Sequence, residues 1–406
     1  MELFDQLFKT KYWMEFLEYK RTKGNLCQKE LLDLEQFVTG KEYFSVLEKL
    51  ERTYEFDVPS VNEINKKGTN KKRVVFTFGR EENYVLKMIA FLLKSYDHLF
   101  ADNLYSFRQN TGVKRAVFSL VRNVDIAKCY AYKVDIHDYF NSVDTEGILA
   151  LFQQHLPAER KLYKLFANLL RNPYARKEEK LLEVRKGIMA GVPISGFLAN
   201  LYLMELDVYF AKNDISYIRY SDDIIVFASQ EEELMEHERI IKNTLAHKGL
   251  IINEKKEYRF QPGNRIEFLG FEFFQDDVRV ADISVQKLKG KMKRKARAIY
   301  RWKIRNQVPD EKAALAYIRF LNRKFYENPI HGEITWCRWY FPVITKEDKL
   351  KSIDQYAIDC IRYVYYGNYG KKKYNLRYEK IQELGFQSLV NSYWKFQNHT
   401  YGEEER

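Results

Sequence analysis

Residues 217–229, Y-I-R-Y-S-D-D-I-I-V-F-A-S, place two neighbouring carboxylates, Asp222 and Asp223, between two apolar runs of β-forming residues. Side chains on a strand alternate between the two faces of a sheet, so adjacent acids inside one strand would send one charge into the core. A tight turn between two strands avoids this cost, because both carboxylates then project from the tip. The pattern therefore predicts an antiparallel hairpin that presents a pair of acids at one end of a sheet.

A third acid, Asp135, ends an earlier apolar strand, A-Y-K-V-D. If this strand pairs with the hairpin, Asp135 meets Asp222 at the same sheet end. Like charges a few ångströms apart raise one another's pKa, so such a cluster calls for a cation. Two Mg²⁺ ions about 3.5–4 Å apart, with Mn²⁺ as the alternative metal, would neutralise the acids and activate an attacking hydroxyl. Two adjacent acids at a turn usually serve only to form the turn. The prediction of a metal site therefore depends on all three acids together.

The charge balance favours a polyanionic partner. The chain has 68 Lys and Arg against 56 Asp and Glu, with 30 Tyr and 28 Phe. Basic residues suit phosphates and planar rings suit bases, so nucleic acid is favoured over a membrane surface. Residues 284–305 contain ten basic residues and no acidic one. On a helix, Lys287, Lys291 and Lys295 share one face, which predicts a grip on a nucleic-acid duplex.

The cysteines and the hydropathy pattern bear on the compartment. Cys27, Cys129, Cys337 and Cys360 are too far apart for a zinc knuckle and form no evident disulfide framework, which is typical of reduced core residues. The sequence contains no run of about 18 apolar residues, the length that would predict a membrane span. The N-terminal segment carries charges throughout, which is not typical of a signal peptide. We expect a cytoplasmic protein without a membrane partner.

The segments around the acids carry a family resemblance. The sequence resembles a reverse transcriptase over roughly residues 60–280, through segments that occur in the family's order: K-K-R-V-V-F with Arg73, Y-S-F-R with Arg108, D-x-x-x-x-F with Asp135 and Phe140, the loop and helix with Gly191, Ser195, Leu198 and Asn200, Y-x-D-D with Tyr220, Asp222 and Asp223, N-x-x-K with Asn253 and Lys256, and F-L-G-F at 268–271.

The resemblance implies a fold and its division into domains. The implied class is α+β, a right-hand polymerase with fingers, palm and thumb, an antiparallel palm sheet and helical extensions at both ends. The implied bounds are 1–60 for the N-terminal extension, 61–130 for the fingers, 131–283 for the palm with inserted fingers helices at about 145–185, 284–350 for the basic helical thumb, and 351–406 for the C-terminal extension.

The resemblance also implies roles for individual residues. Asp135, Asp222 and Asp223 would be catalytic and would hold the metals together with the backbone carbonyl of Ile136. The residues expected to bind the deoxynucleoside triphosphate are Arg73, Lys66, Phe140, Gly191 and Lys256. Phe140 would exclude a 2′-hydroxyl, and Lys256 would act as a general acid toward pyrophosphate. The residues expected to bind nucleic acid are Arg108, Ser195, Asn200, Gly270, Lys287, Lys291, Arg294 and Lys295.

Two departures from the family pattern point to a branch within it. Met189 and Ala190 stand where the family has Pro-Gln, and Gly196 stands where it has Pro. These departures resemble prokaryotic enzymes related to those of group II introns and retrons, in particular the abortive-infection and other phage-defence-associated branches. The implied function is to copy a dedicated structured non-coding RNA into DNA in anti-phage defence, with that RNA, a DNA primer and product, and dNTPs as partners.

The residues leave alternatives open. A template-independent or protein-primed DNA polymerase of the same fold would use the same acids, and a catalytically weak RNA-binding scaffold would keep the basic surface. A homo-oligomer and a second defence protein are both open as further partners.

Overall fold

The computed structural model describes residues 1–23, 26–65, 72–184, 187–326, 335–367 and 374–404. They form two compact units, Met1–Asn264 and Arg265–Arg406. The helices of the first unit are α1 (Leu3–Gln6), α2 (Thr10–Lys23), α3 (Gln28–Thr39), α4 (Tyr43–Thr53), α5 (Arg80–Leu92), α6 (Val113–Asn123), α7 (Tyr139–Ser142), α8 (Thr145–His155), α9 (Arg160–Arg171), α10 (Ser195–Tyr202), α11 (Met204–Lys212) and α12 (Glu231–His247). Its strands are β1 (Ser60–Asn65), β2 (Lys72–Thr77), β3 (Tyr130–Asp135), β4 (Tyr174–Lys177), β5 (Lys180–Glu183), β6 (Tyr217–Tyr220), β7 (Asp223–Ala228) and β8 (Tyr258–Phe260).

The central sheet of the first unit has the strand order β6-β7-β3-β8, and its neighbouring strands are antiparallel. The predicted hairpin is present, since β6 and β7 pair with Tyr220 opposite Asp223. Ile224 and the next four residues of β7 are all buried, so both faces of this strand are covered. Helix α12 packs against β3 and β7. Helix α12 begins with three glutamates, 231–233, which suits the positive end of the helix dipole.

A second sheet has the order β2-β1-β4-β5. Strands β1 and β2 form an antiparallel hairpin, and β1 meets β4 in parallel through Ser60 and Arg176. The basic tip of this hairpin, which includes Lys66, lies outside the described residues.

The N-terminal helices share a core with the rest of the first unit. The indole of Trp13 stacks on Tyr43 with ring centroids 4.5 Å apart, and its Nε1 donates to the Leu7 carbonyl at 2.7 Å. Buried Glu159 accepts hydrogen bonds from the Leu3 backbone and the Tyr96 hydroxyl, both at 2.8 Å. Residues far apart in the chain therefore fix the first helices on this core.

The second unit contains a three-stranded sheet and a helical bundle. Its strands are β9 (Ile266–Phe268), β10 (Phe271–Phe274) and β11 (Asp277–Val280), in the antiparallel order β11-β10-β9. Its helices are α13 (Asp282–Arg305), α14 (Asp310–Phe325), α15 (Trp336–Tyr340), α16 (Asp348–Tyr366), α17 (Tyr378–Glu383) and α18 (Leu389–Glu404). Helices α13, α14 and α16 pack against one another.

The basic segment predicted as a helix is α13. Its apolar residues Leu288, Met292 and Ile299 are buried, so its lysines and arginines lie mainly on the exposed faces. The boundary between the compact units differs from the implied end of the palm at residue 283. Fingers, palm and thumb are a division by function, so their bounds stay a prediction. Over the described ranges, every helix is too short or too polar to span a bilayer.

Candidate active site

The structure brings the three predicted acids to one end of the central sheet. Asp135 is the last residue of β3 and lies opposite Asp223, the first residue of β7. Asp222 lies in the turn before β7, where Ser221 adopts the left-handed φ of +64°. The backbone N–H of Ile136 donates to the Asp222 carbonyl at 3.1 Å and so ties the two strand ends together.

The charges of this cluster are only partly balanced by the protein. Burial, reinforced by the charges of Asp222 and Asp135, raises the pKa of Asp223 to about 6. Burial and the charge of Asp135 likewise raise the pKa of Asp222. Each carboxyl group thus resists ionisation, which is the effect expected of acids that share a site without enough positive charge.

Asp135 has two partners from the segment after α12. The ammonium of Lys256 donates to Asp135 Oδ1 at 2.5 Å, and Asn253 Nδ2 donates to Oδ2 at 3.0 Å. Burial lowers the pKa of Lys256, but the hydrogen bond to Asp135 and the charges of the three acids outweigh burial and raise it. Lys256 therefore stays protonated and forms a direct ion pair with the cluster through Asp135.

The acids border a cleft of about 440 Å³. The cleft is lined by residues 72–74 of β2, residues 135–140, and Ala190, Asp222, Asn253 and Lys256. The Arg73 guanidinium lies 6.0 Å from the centre of the Phe140 ring, and Phe140 meets Phe107 edge-on at a centroid distance of 6.0 Å. Arg73, Phe140 and Lys256 thus line the same cleft as Asp135 and Asp222.

These residues fit a divalent metal. Carboxylate oxygens are the donors that Mg²⁺ and similar hard cations prefer. The raised pKa values of Asp222 and Asp223 show that the cluster favours added positive charge. Ile136, the fourth expected ligand, lines the same cleft.

Gly191, expected to bind the triphosphate, does not line the cleft, whereas its neighbour Ala190 does. The Ala190 carbonyl accepts a hydrogen bond from the Phe76 backbone at 2.8 Å. Gly191 has φ +99°, and a Cβ added there would lie 3.1 Å from the Phe76 carbonyl oxygen. The glycine therefore lets this loop approach β2 closely, and its binding role stays a prediction.

Three residues expected to bind nucleic acid make internal hydrogen bonds. The Arg108 guanidinium donates to the backbone carbonyls of Ala101, Leu104 and Asp97. Buried Ser195 donates from Oγ to the carbonyls of residues 188 and 189. Buried Asn200 donates to the Ser106 carbonyl at 2.8 Å and accepts from its hydroxyl at 3.2 Å. These contacts hold loops together, and nucleic-acid binding by these three side chains stays a prediction.

The remaining predicted residues belong to the second compact unit. Gly270 forms the turn between β9 and β10 with φ +88°. Lys287, Arg294 and Lys295 are exposed on α13, and Lys291 is half-buried. The structure thus places these five residues in a different unit from the acids.

A buried polar network beneath the acidic turn is absent from the sequence-based prediction. Arg219 and Asp207 are both 0% exposed, and the guanidinium donates to the carboxylate through Nε at 2.8 Å and Nη2 at 2.5 Å. Nη1 also donates to the Ser221 carbonyl at 3.3 Å, while Ser106 Oγ accepts from the Ser221 N–H at 2.9 Å. An arginine inside the apolar run Y-I-R-Y was the available signal, because its alternation places it toward the core.

A second group of acids lies in the second unit. One carboxylate oxygen from each of Glu267, Glu272 and Asp282 lies within 4.8 Å of the other two. Asp282, however, accepts a hydrogen bond from Lys349 at 2.6 Å, and Glu272 lies 3.9 Å from Arg279. Protein cations already accompany this group, so we assign it no metal.

Comparisons with known proteins bear on the family. The family described as Reverse transcriptase (RNA-dependent DNA polymerase) matches residues 64–273, just over half of the chain. No curated protein sequence matches significantly.

Three similar solved structures are telomerases. Apo telomerase from Candida tropicalis without its C-terminal domain is 14% identical with a TM-score of 0.45, and covers 56% of this chain and 55% of its own. Apo telomerase from Candida tropicalis is 12% identical with a TM-score of 0.48, at 82% and 60% coverage. Telomerase from Candida albicans in complex with a fragment of telomeric RNA is 12% identical with a TM-score of 0.44, at 89% and 69% coverage.

This chain matches only 55% to 69% of the length of those telomerase chains. The family match, in contrast, spans the central sheet, the cleft and all three acids. It agrees with the expected right-hand polymerase fold and with the expected enzyme class, an RNA-directed DNA polymerase. The chain belongs to the reverse transcriptase (RNA-dependent DNA polymerase) family.

Proposed function

We propose that this chain extends a primer with deoxynucleotides along a dedicated structured non-coding RNA, and that this synthesis serves anti-phage defence. The observation that carries the catalytic part is the convergence of four side chains on one cleft: Asp135, Asp222, Lys256 and Arg73. Asp223 lies opposite Asp135 in the sheet register. Such a cleft combines acids for metals with cations for phosphates.

Asp135, Asp222 and Asp223, with the Ile136 carbonyl, are the proposed ligands of two divalent ions, Mg²⁺ or Mn²⁺. When bound, these ions lower the pKa of the primer 3′-hydroxyl and stabilise the charge that develops on the transferred phosphate. Arg73 offers a planar fork of N–H donors to triphosphate oxygens. Lys256 holds a proton in the cleft, which it can donate to the leaving pyrophosphate.

Phe140 is proposed to select the sugar. The ring lines the cleft five residues after Asp135 and is held from the side by Phe107. A bulky ring beneath the sugar leaves no room for a 2′-hydroxyl, so deoxynucleotides bind better. This preference separates the proposed activity from RNA synthesis.

The proposed place of this chain within the family follows from the positions where it departs from the family pattern. Ala190 lines the cleft at a position where the family carries glutamine, so its side chain cannot hydrogen-bond a nucleotide. This supports a defence-associated branch, in which the RNA template, the DNA primer and product, and a second defence protein or further copies of this chain would be the partners. The exposed basic residues of α13 support a grip on the template and its product.

Ala190 also favours a second candidate function. A polymerase that depends little on a template needs fewer contacts to the incoming base. Template-independent or protein-primed DNA synthesis with the same acids is therefore the alternative.

One experiment separates these functions. The protein is purified with its associated RNA and supplied with Mg²⁺ and each labelled dNTP or rNTP, with and without ribonuclease pretreatment. Asp222→Ala/Asp223→Ala is the control. We expect deoxynucleotide products that require intact RNA and disappear in the variant, and sequencing them identifies the template. Products that survive ribonuclease indicate template-independent synthesis, and RNA binding without incorporation indicates a scaffold.

A further inference from the structure

The second unit contains a cleft of about 390 Å³ between α13, α14 and α15. We call it the tryptophan cleft and define it by Lys287 and Lys291 of α13, Lys324 of α14, and Trp336, Trp339 and Tyr340 of α15. Ligand pockets in proteins run from roughly 300 to 1,000 Å³, so the cleft has room for one small ligand. None of these residues belongs to the acid cluster.

The described lining of the tryptophan cleft carries positive charge. Among the residues that the structure describes, this lining includes three lysines and no acid. Lys287 and Lys291 are four residues apart on one helix and therefore lie on the same face. Within the described part of the chain, Lys287 and Lys324 form no ion pair with a carboxylate, and both are exposed. The cleft therefore favours an anion, and a phosphate group satisfies lysine ammonium groups well.

The other side of the cleft is aromatic. Trp336, Trp339 and Tyr340 lie on one face of α15, and the rings of Trp336 and Tyr340 have centroids 4.5 Å apart. Tyr340 is buried and packs on Phe271 at 5.1 Å, so it forms a fixed support. Both tryptophans, however, line the cleft and are only half-buried, so part of each side chain stays accessible. An accessible indole beside lysines suits a ligand that combines a flat ring with a phosphate group.

The cleft also adjoins the turn at Gly270. Ser284, another lining residue, donates from Oγ to the Gly270 carbonyl at 3.3 Å. A Cβ added to Gly270 would lie 3.4 Å from the Tyr340 hydroxyl. The resemblance implies that Gly270 binds nucleic acid, so a strand that contacts this turn would also reach the cleft.

We propose that the tryptophan cleft binds one unpaired nucleotide of a nucleic-acid strand, with its base stacked on Trp339 and its phosphate held by Lys287 and Lys324. A base inside a duplex is already stacked on both faces, so only an unpaired base can use the indole. The shared chemistry is a base with a phosphate, which RNA and DNA both supply. The inference goes beyond the proposed catalysis. It rests on the proposed function in one respect only, namely whether the strand that reaches the cleft in the cell is the RNA template or the DNA primer.

The test measures binding without synthesis. Fluorescence anisotropy follows six-nucleotide single strands, one RNA and one DNA, each with a 5′ fluorescein, in the absence of metal and nucleoside triphosphates. We expect Trp339→Leu to weaken binding of at least one strand on the order of tenfold, the loss of one stacked base. Trp339→Phe keeps a ring and should retain most of the affinity. The strand that loses affinity identifies the source of the nucleotide.

Trp302→Leu is the matched control, because Trp302 is 41% exposed on α13 and does not line the cleft. It should leave binding unchanged, and a blunt-ended duplex should bind equally to wild type and Trp339→Leu. Equal losses in the Trp302 and Trp339 variants, no loss in the Trp339 variant, or a loss confined to the duplex would each overturn the proposal.

A double substitution of two lysines tests the proposed phosphate contacts and leaves the aromatic residues unchanged. Lys287→Gln/Lys324→Gln should weaken single-strand binding at least fivefold more than Lys293→Gln/Lys312→Gln, which removes the same charge from exposed positions outside the cleft. Equal losses would show general electrostatic attraction and refute the site. If the Trp339 and Lys287/Lys324 variants weaken binding as expected but wild type incorporates no nucleotide, the proposed function fails and the cleft stands, so the two failures are distinguishable.

Discussion

The buried pair of Arg219 and Asp207 predicts a stability effect that an exposed pair of the same chemistry lacks. Asp207→Leu leaves the guanidinium, 0% exposed, without its counterion. Asp207→Leu/Arg219→Met removes both charges and fills the space with apolar atoms. Removing one partner of a buried ion pair costs about 3–5 kcal/mol, whereas replacing both is often close to neutral.

The hydrogen bonds around this ion pair refine the expected changes in the free energy of unfolding. The double variant removes the donors to the Ser221 and Asn200 carbonyls and the acceptor of the Tyr217 hydroxyl. At roughly 1 kcal/mol each, these losses total about 3 kcal/mol. Asp207→Leu loses the Tyr217 bond as well as the ion pair, about 4–6 kcal/mol in all. The double variant should therefore be more stable than the single variant by roughly 1–3 kcal/mol.

Urea denaturation with linear extrapolation measures these free energies of unfolding. The control is the exposed pair Arg239–Glu236, whose two hydrogen bonds of 2.8 and 2.6 Å have the same forked geometry. Glu236→Leu should cost no more than about 1 kcal/mol. A double variant no more stable than Asp207→Leu, or a Glu236→Leu cost as large as that of Asp207→Leu, would refute the reasoning.

The same double variant should fold and yet incorporate nucleotides about 10–100-fold more slowly, as is typical when the partners that orient metal ligands are lost. Unchanged activity would mean that Arg219 stabilises the fold without positioning the turn that carries Asp222.

Three further predictions concern the candidate active site and the loop beside it. Phe140→Ala should lower the ratio of kcat/KM for a dNTP to that for the matching rNTP, and an unchanged ratio would count against a sugar gate. Because the pKa of Asp223 is raised to about 6, the folded state binds a proton more readily than the unfolded state, so metal-free protein should gain stability as pH falls from about 7 to 5. Thermal unfolding in chelator should show this gain in wild type and a smaller gain in Asp223→Asn, and equal gains would contradict it. Gly191→Ala should lower Tm more than Gly249→Ala, because Gly249 also has a positive φ but faces open space; equal Tm values would exclude the close approach to β2.

The acidic hairpin could be predicted because its determinants are local. Alternating apolar residues on either side of Asp222 and Asp223 specify two strands, and adjacent charges specify the turn between them. The meeting with Asp135 is a long-range pairing, which the residues of the strand alone left conditional and the family resemblance turned into an expectation. The register that places Asp135 opposite Asp223 needed the structure.

Side-chain partners could not be predicted in the same way. Arg108 and Asn200 occur in segments that resemble family motifs, but a motif does not say whether a polar side chain faces a ligand or a neighbouring backbone carbonyl. The structure shows that both face the backbone. The tryptophan cleft likewise depends on how α13, α14 and α15 pack, because it joins Lys287 to Lys324 and Trp339 across three helices.

The hydrogen bond between the Phe76 N–H and the Ala190 carbonyl, with the close approach at Gly191, mechanically couples β2 to the loop that borders the cleft. Arg73 lies in β2, so a triphosphate held by Arg73 as proposed would act on the strand that is bonded to this loop. On that proposal, substrate affinity and copying accuracy would be linked properties of the enzyme. Substitutions in β2 that weaken triphosphate binding should change the spectrum of misincorporated bases, even though no residue of β2 needs to contact a base.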